Sequence, residues 1–220
     1  MAATITAVGG CYDWHATDAS SRIRTCCIAL PQSPASGNLA GLLQSDDILG
    51  ILHYFLPRNS PEPDIGVYSI TAKIANSKDQ LVVGSAWNRD EFHFELHCLS
   101  LLPLEHQKLA IPPIINLSGP AVNINGRTFD MDLMPYISTA KKHARFRCYF
   151  PEEGRFFQSA PNMNANAMVC VTGTLIGEAL QGEGSAEPAR LSVRILEMDY
   201  LASSSTTSAL STAVTPSRSR

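Results

Sequence analysis

The chain has 220 residues and a formal net charge of −3, with 45% hydrophobic and 17% charged residues. That length and composition suit one large or two small globular domains, each with a usable core. The mild negative charge excludes an overall positive field, so any attraction to nucleic acid or an anionic membrane must come from a local patch.

Met1–Gly10 lacks the basic residue and apolar core of a secretory leader. Two strands are expected early, Thr4–Val8 and Arg22–Leu30, with Ile23, Thr25 and Cys27 on one face of the second. Pro31–Asn38 is a Pro-, Ser- and Gly-rich loop. A helix is expected from about Leu39 to Leu56. Ile48, Leu49, Leu52 and Phe55 fall near helical spacing, Ser45, Asp46 or Asp47 can cap the second part, and Pro57 ends it. The most apolar window, Ile48–Leu56, is too short to span a bilayer. Ser60–Pro61–Glu62–Pro63 is a stiff connector.

From Gly66 the pattern changes to strands. Tyr68, Ile70, Ala72 and Ile74 alternate with polar residues, Leu81–Trp87 is a second short strand, and Phe92, Phe94, Leu96 and Cys98 alternate with Glu91, His93, Glu95 and His97. A boundary is expected near His106–Pro113. Ile114–Ile124 is a strand region broken at Gly119–Pro120. Asn125–Gly126 signals a type I′ hairpin, and Phe129, Met131 and Leu133 return from it with Asp130 and Asp132 on the other face. A third strand puts Phe146, Cys148 and Phe150 on one side and Arg145, Arg147 and Tyr149 on the other.

Pro151–Asn166 is a mixed loop with room for a short helix. Met168–Leu201 is a hairpin in which Val169, Val171 and Leu175, and then Leu191, Val193 and Ile195, alternate with polar residues, with Gly173 placed for a sharp bend. It repeats the pattern of Val67–Leu104, which suggests two related domains in tandem. Residues 203–220 are nearly all Ser, Thr and Ala and are expected to be disordered. The six cysteines sit mostly in apolar patterns and read as reduced core residues. The vicinal Cys26–Cys27 pair is expected to be one buried and one exposed thiol. The expected location is intracellular, with the nucleus favoured.

The second half thus gives three strands, a connector and two strands: Ile114–Ile124, Phe129–Leu133, Arg145–Phe150, Met168–Ile176 and Leu191–Tyr200. This order resembles the OB-fold, a small Greek-key barrel. The expected fold is therefore mainly β: two OB-like barrels in tandem, over 1–107 (with the helix near 39–56) and 111–202. Each would carry a short helix or loop between its third and fourth strands. Tandem OB-folds with a disordered end resemble single-strand-binding proteins of the replication protein A kind. That resemblance implies non-enzymatic binding of single-stranded nucleic acid, DNA favoured, through aromatic stacking and basic residues on an outer strand face.

The candidate binding face lies on the second barrel. Arg145, Arg147 and Tyr149 point outward together, Lys141 and Lys142 stand at the strand entrance, and Arg155 and Phe157 line the loop beyond. Asp130 and Asp132 stand ready to pair with Arg145 and Arg147 across the strands, which would neutralise that patch. The alternative function is a protein-interaction or scaffold module that uses the apolar exits Leu99–Leu104 and Leu196–Leu201, with self-association as one form.

His93, Glu95 and His97 share a strand face, but alternate residues lie roughly 7 Å apart and no Cys-x-x-Cys completes a metal set. No phosphate loop, nucleophile elbow, His-Glu-x-x-His helix, dinucleotide fingerprint or complete deaminase pattern occurs. No enzyme activity, cofactor, metal or membrane partner is expected.

Overall fold

Alternation of small apolar and hydroxyl side chains governs the chain from its second residue. Ala3, Ile5, Ala7 and Cys11 point inward between Thr4, Thr6 and Val8, so a strand, β1 (Ala2–Ala16), runs well past the expected Val8. Gly9 holds an inward place where a Cβ would lie 2.8 Å from Leu30 and 3.0 Å from the Ala29 carbonyl. The computed structural model describes residues 1–16, 20–31, 47–76, 88–105, 111–137, 140–156, 160–178 and 189–201.

After β1 come β2 (Ile23–Leu30), β3 (Ile48–Phe55), β4 (Gly66–Ala75) and β5 (Phe94–Pro103). Strand β1 pairs with β2 through its second half and with β4 through its first. Strands β2 and β3 pair antiparallel, β3 runs parallel to the start of β5, and β5 pairs back onto β4. The circuit β1-β2-β3-β5-β4-β1 closes on itself, which is the order of a five-stranded Greek-key barrel.

The second half repeats the circuit. Its strands are β6 (Ile114–Pro120), β7 (Val122–Asn125), β8 (Thr128–Leu133), β9 (Tyr136–Ile137), β10 (Ala140–Lys141), β11 (Ala144–Tyr149), β12 (Met168–Glu178) and β13 (Leu191–Tyr200). The break expected at Gly119–Pro120 falls one residue later, at Ala121, since Gly119 and Pro120 both pair with β12. Strands β6 and β7, separated by Ala121, together take the place of β1. The pairings β7–β8, β8–β11, β11–β13 (parallel), β13–β12 and β12–β6 close the second ring.

Gly173 bends β12 where expected. The register with β13 slips there, and a Cβ would sit 2.5 Å from the Arg194 carbonyl oxygen.

The rings are joined by antiparallel pairing of β1 with β6, from Ala2 opposite Ser118 to Thr6 opposite Ile114, with the paired Ile5 and Ile115 fully buried. One apolar core runs through the seam, from Ala3 and Ile70 to Met131, Phe146 and Ile195. Asn76 ties the far side. Its backbone N–H donates to the His143 carbonyl, its Nδ2 donates to the Arg145 carbonyl at 2.8 Å, and its Oδ1 accepts from the Arg145 N–H at 2.6 Å. A buried amide that meets a passing strand in this way replaces a missing backbone partner.

Several expectations are corrected. Residues 48–55 form a strand and not the second part of a helix. Ile48 and Leu52 face the core, while Ile51 on the opposite face packs with Cys27 and Phe92. Burial on both faces produces an apolar run that helical spacing fits equally well. Cys26 and Cys27 are both buried, at 0% and 4% exposure, because the Ile51–Phe92 cluster covers the second thiol.

The β7–β8 turn is centred on Gly126–Arg127. Only Gly126 has positive φ there, at 56°, so glycine leads the turn in place of a type I′ pair. The expected strand Leu81–Trp87, the first part of the expected helix, residues 106–110 of the boundary and the tail from residue 202 lie outside the described residues. A short 3-10 turn, Gly154–Phe156, occupies the link between β11 and β12.

Candidate nucleic-acid interface

Strand pairing sets the outer face of the second ring. Phe129, Met131 and Leu133 of β8 and Phe146 and Cys148 of β11 are fully buried, so Asp130, Asp132, Arg145, Arg147 and Tyr149 must share the other side. The register places Arg147 opposite Asp130 and Arg145 opposite Asp132. Arg147 Nε lies 2.9 Å from Asp130 Oδ1. The same carboxylate, 2% exposed, also accepts from Asn123 Nδ2 at 3.1 Å and faces Arg190 Nε at 3.4 Å. Arg190 is buried at 8% exposure and pairs in turn with Asp132.

The carboxylates therefore answer Arg147 and also Arg190, which was not anticipated from the sequence. The guanidinium of Arg145 has no ion pair among the described residues. Tyr149 is half-buried, and burial pushes its phenol above the ordinary value.

The two lysines part company because they are neighbours on an alternating chain. Lys142 turns inward onto Glu95 of the first ring, while Lys141, at the end of β10, is exposed. Glu95 is 2% exposed and lies between Lys142 and His53, whose Nε2 is 2.8 Å from Oε1. Burial raises its carboxyl, but the hydrogen bonds from His53 and Lys142 outweigh that and hold it below the usual carboxylate value. Glu95 is thus not part of an ordinary polar strand face, as the alternation suggested. The connection between β8 and β11 covers that face, and β9 touches both β4 and β5. His97, beside it, is held below the ordinary histidine value by burial, then by Lys73 and His53.

His93, the remaining member of the trio, pairs with Glu178. Among the described residues no group of three His, Cys, Asp or Glu is placed to hold a metal. Arg155 belongs to the 3-10 turn, and Phe157 lies outside the described residues.

Sequence reasoning missed two groups. On the first ring Arg22 stacks over Phe55 at 4.7 Å, and Trp14 meets Tyr54 and Tyr68 edge-on while its Nε1 donates to the Asp64 carbonyl at 3.0 Å. Between the rings an open cleft of about 520 Å³ is lined by Met1, Lys73, Met134, Pro135, Tyr136 and Lys141, among others. Tyr136 is 55% exposed, directly across from Lys141 in the β9–β10 pair. An aromatic facing a lysine across a short hairpin was the available signal for it.

No protein-family model and no curated sequence matches this chain. In three dimensions it is similar to the wild-type single-stranded DNA binding protein from Thermus aquaticus. The two align with a TM-score of 0.52 and 9% identity over 92% of this chain and 94% of that one. A deletion mutant of the same protein, lacking residues 228–252, aligns with the same score and identity over 92% and 95%. At that identity the likeness is one of fold, and it spans nearly the full length of both chains. The fold is mainly β and OB-like.

Proposed function

We propose that this chain is a non-enzymatic binder of single-stranded nucleic acid, with DNA favoured. The observation that carries the reading is the pair of closed five-stranded rings joined edge to edge along β1 and β6. The Thermus aquaticus protein, itself named for binding single-stranded DNA, aligns with the chain over nearly its whole length, which supports this reading. The contact face is the outer side of β8 and β11 together with the connection between them. Lys141 and Arg145 hold phosphates there. Lys142 and Arg147 are committed to Glu95 and Asp130 and mainly shape the surface. Tyr149, half-buried on the same side, stacks on a passing base.

The test is fluorescence anisotropy of labelled oligothymidylate and oligouridylate at low salt. Binding that weakens with salt, and weakens further in Arg145→Ala, supports the reading. Absence of binding at low salt overturns it.

A second reading rests on exposed apolar side chains. Leu99 and Leu102 near the end of β5 are 55% and 59% exposed, and Leu196 of β13 is 47% exposed. Where β3 and β11 stop, these segments are sheet edges, and an apolar edge pairs readily with another strand. A stable oligomer by light scattering, indifferent to oligonucleotides, would favour this reading.

A further inference from the structure

We infer that the cleft between the rings is a subsite for a single nucleic-acid strand, in which Lys73 and Lys141 hold neighbouring phosphates and Tyr136 stacks on a base. This rests on the proposed function and adds the place where one strand passes from the second ring to the first.

The cleft takes one wall from each ring. Ala2, Ala3, Thr4 and Lys73 come from β1 and β4, and Met134, Pro135, Tyr136 and Lys141 from the β8–β11 connection. Its volume of about 520 Å³ lies within the span of sites that hold a small ligand or a nucleotide unit, roughly 300–1,000 Å³. Among the described residues no carboxylate lines it, although Asp and Glu outnumber Lys and Arg in the chain by 20 to 17. Neither Lys73 nor Lys141 has an ion pair among the described residues. The outer face of the second ring behaves differently, since carboxylates there hold Arg147 and Arg190.

Alternation explains why the cleft is armed in this way. Ile137 is fully buried and Pro135 is buried, so Tyr136 between them must stand out. The same alternation sends Lys142 into Glu95 and leaves Lys141 outward, opposite Tyr136. Lys73 lies on β4, paired to Thr4 on one side and His97 on the other, and reaches the cleft from the first ring.

Two cations and an exposed aromatic plane, with no carboxylate among the described lining residues, match a phosphodiester chain with a splayed base. Among the described residues a divalent cation finds no acidic ligand here, and an apolar ligand would have to strip water from two ammonium groups.

The experiment uses the full chain and a 5′-labelled oligothymidylate of about 30 nucleotides, long enough to cover two such rings. Anisotropy is measured over a range of salt concentrations for wild type and for Lys73→Ala, Lys141→Ala, Tyr136→Ala, Tyr136→Phe and Arg145→Ala. Tyr136→Ala is expected to weaken binding about tenfold, with Tyr136→Phe near wild type. Lys73→Ala and Lys141→Ala should each reduce the salt slope by about 0.7.

If wild type binds and Arg145→Ala weakens it, while Lys73→Ala and Tyr136→Ala bind as wild type does, the subsite is refuted and the wider reading survives. If wild type binds nothing at low salt, both fall. Should Tyr136→Ala fail to fold, crosslinking wild type to a 5-iodouracil-substituted strand decides the matter. A crosslink at Tyr136 supports the subsite, and crosslinks confined to other peptides overturn it.

Discussion

The closing strands of the two rings, β5 and β13, have the same exposure pattern at every one of their ten positions. Only one residue is identical, Leu99 and Leu196, and it is the residue that each strand leaves unpaired at its bulge. Phe94 meets Gly50 where Leu191 meets Phe146, so a large and a small side chain in one ring answer two large ones in the other. On the outer faces the likeness ends. Cys27 and Ile51 pack under Phe92 in the first ring, and the equivalent Asp130 and Arg147 form an ion pair with Arg190 beside them in the second. Inward positions and the bulge thus carry the ring, while the outward positions answer to whatever covers them locally.

The deepest asymmetry gives the largest expected effect. Glu95 and Ser192 occupy equivalent buried places, and only Glu95 meets a lysine from the other ring. Glu95→Ala would leave Lys142 and His53 without their carboxylate and should cost about 3–5 kcal/mol in chemical denaturation, against about 1 kcal/mol for Ser192→Ala. The pH dependence carries the same signature. The folded carboxyl lies below its ordinary value, so its contribution is complete above about pH 4.5 and is lost as pH falls through the folded value. Glu95→Gln should flatten the stability curve in that acid window. An unchanged acid limb would show that the Glu95 charge, facing Lys142 and His53, contributes nothing.

The bulges break the likeness more gently. Gly173 and Ala72 hold equivalent places, opposite Ile195 and Cys98, yet a Cβ on Gly173 would meet the Arg194 carbonyl oxygen at 2.5 Å. Backbone cannot swing aside as a side chain can, so Gly173→Ala is expected to cost about 3 kcal/mol. Ala72→Gly removes one buried methyl and adds backbone freedom, for about 1–2 kcal/mol. Equal losses at the two sites, read by urea midpoints, would mean that the β12 backbone gives way to a Cβ at Gly173.

What could be read in the chain follows from this contrast. Phe129, Met131 and Leu133, or Val169, Val171 and Leu175, alternate because one face meets the core and the other meets water, and period two survives. Gly173 was legible as a bend because a strand offers glycine few other uses. The Asp130–Arg147 pair was legible because alternation puts Asp130 and Asp132 on the outward face of one strand and Arg145 and Arg147 on that of the other, and opposite charges pair across neighbouring strands. Strand β3 was not legible: Ile48 and Leu52 serve the core and Ile51 a second cluster, so the period disappeared. Glu95 and the cleft around Tyr136 were hidden for a different reason. Each depends on a segment of one ring lying against the other, a contact that no local pattern encodes.

The outer faces give the smallest expected effects and the sharpest comparison between the rings. Ile51→Ala opens a hole beneath Phe92 and should cost about 2 kcal/mol, the low end for such truncations because the cluster is small. Arg147→Met at the equivalent place removes one of three partners of Asp130 and leaves Asn123 and Arg190 in position, so about 1 kcal/mol or less is expected. The same variant bears on function. A guanidinium already held by a buried carboxylate has little to offer a phosphate, so Arg147→Met should bind oligothymidylate within about twofold of wild type, while Arg145→Ala weakens it severalfold. Titrations in which Arg147→Met is the more damaging of the two would mean that a strand can draw this arginine away from Asp130, and the outer face would then be a switchable surface instead of a fixed one.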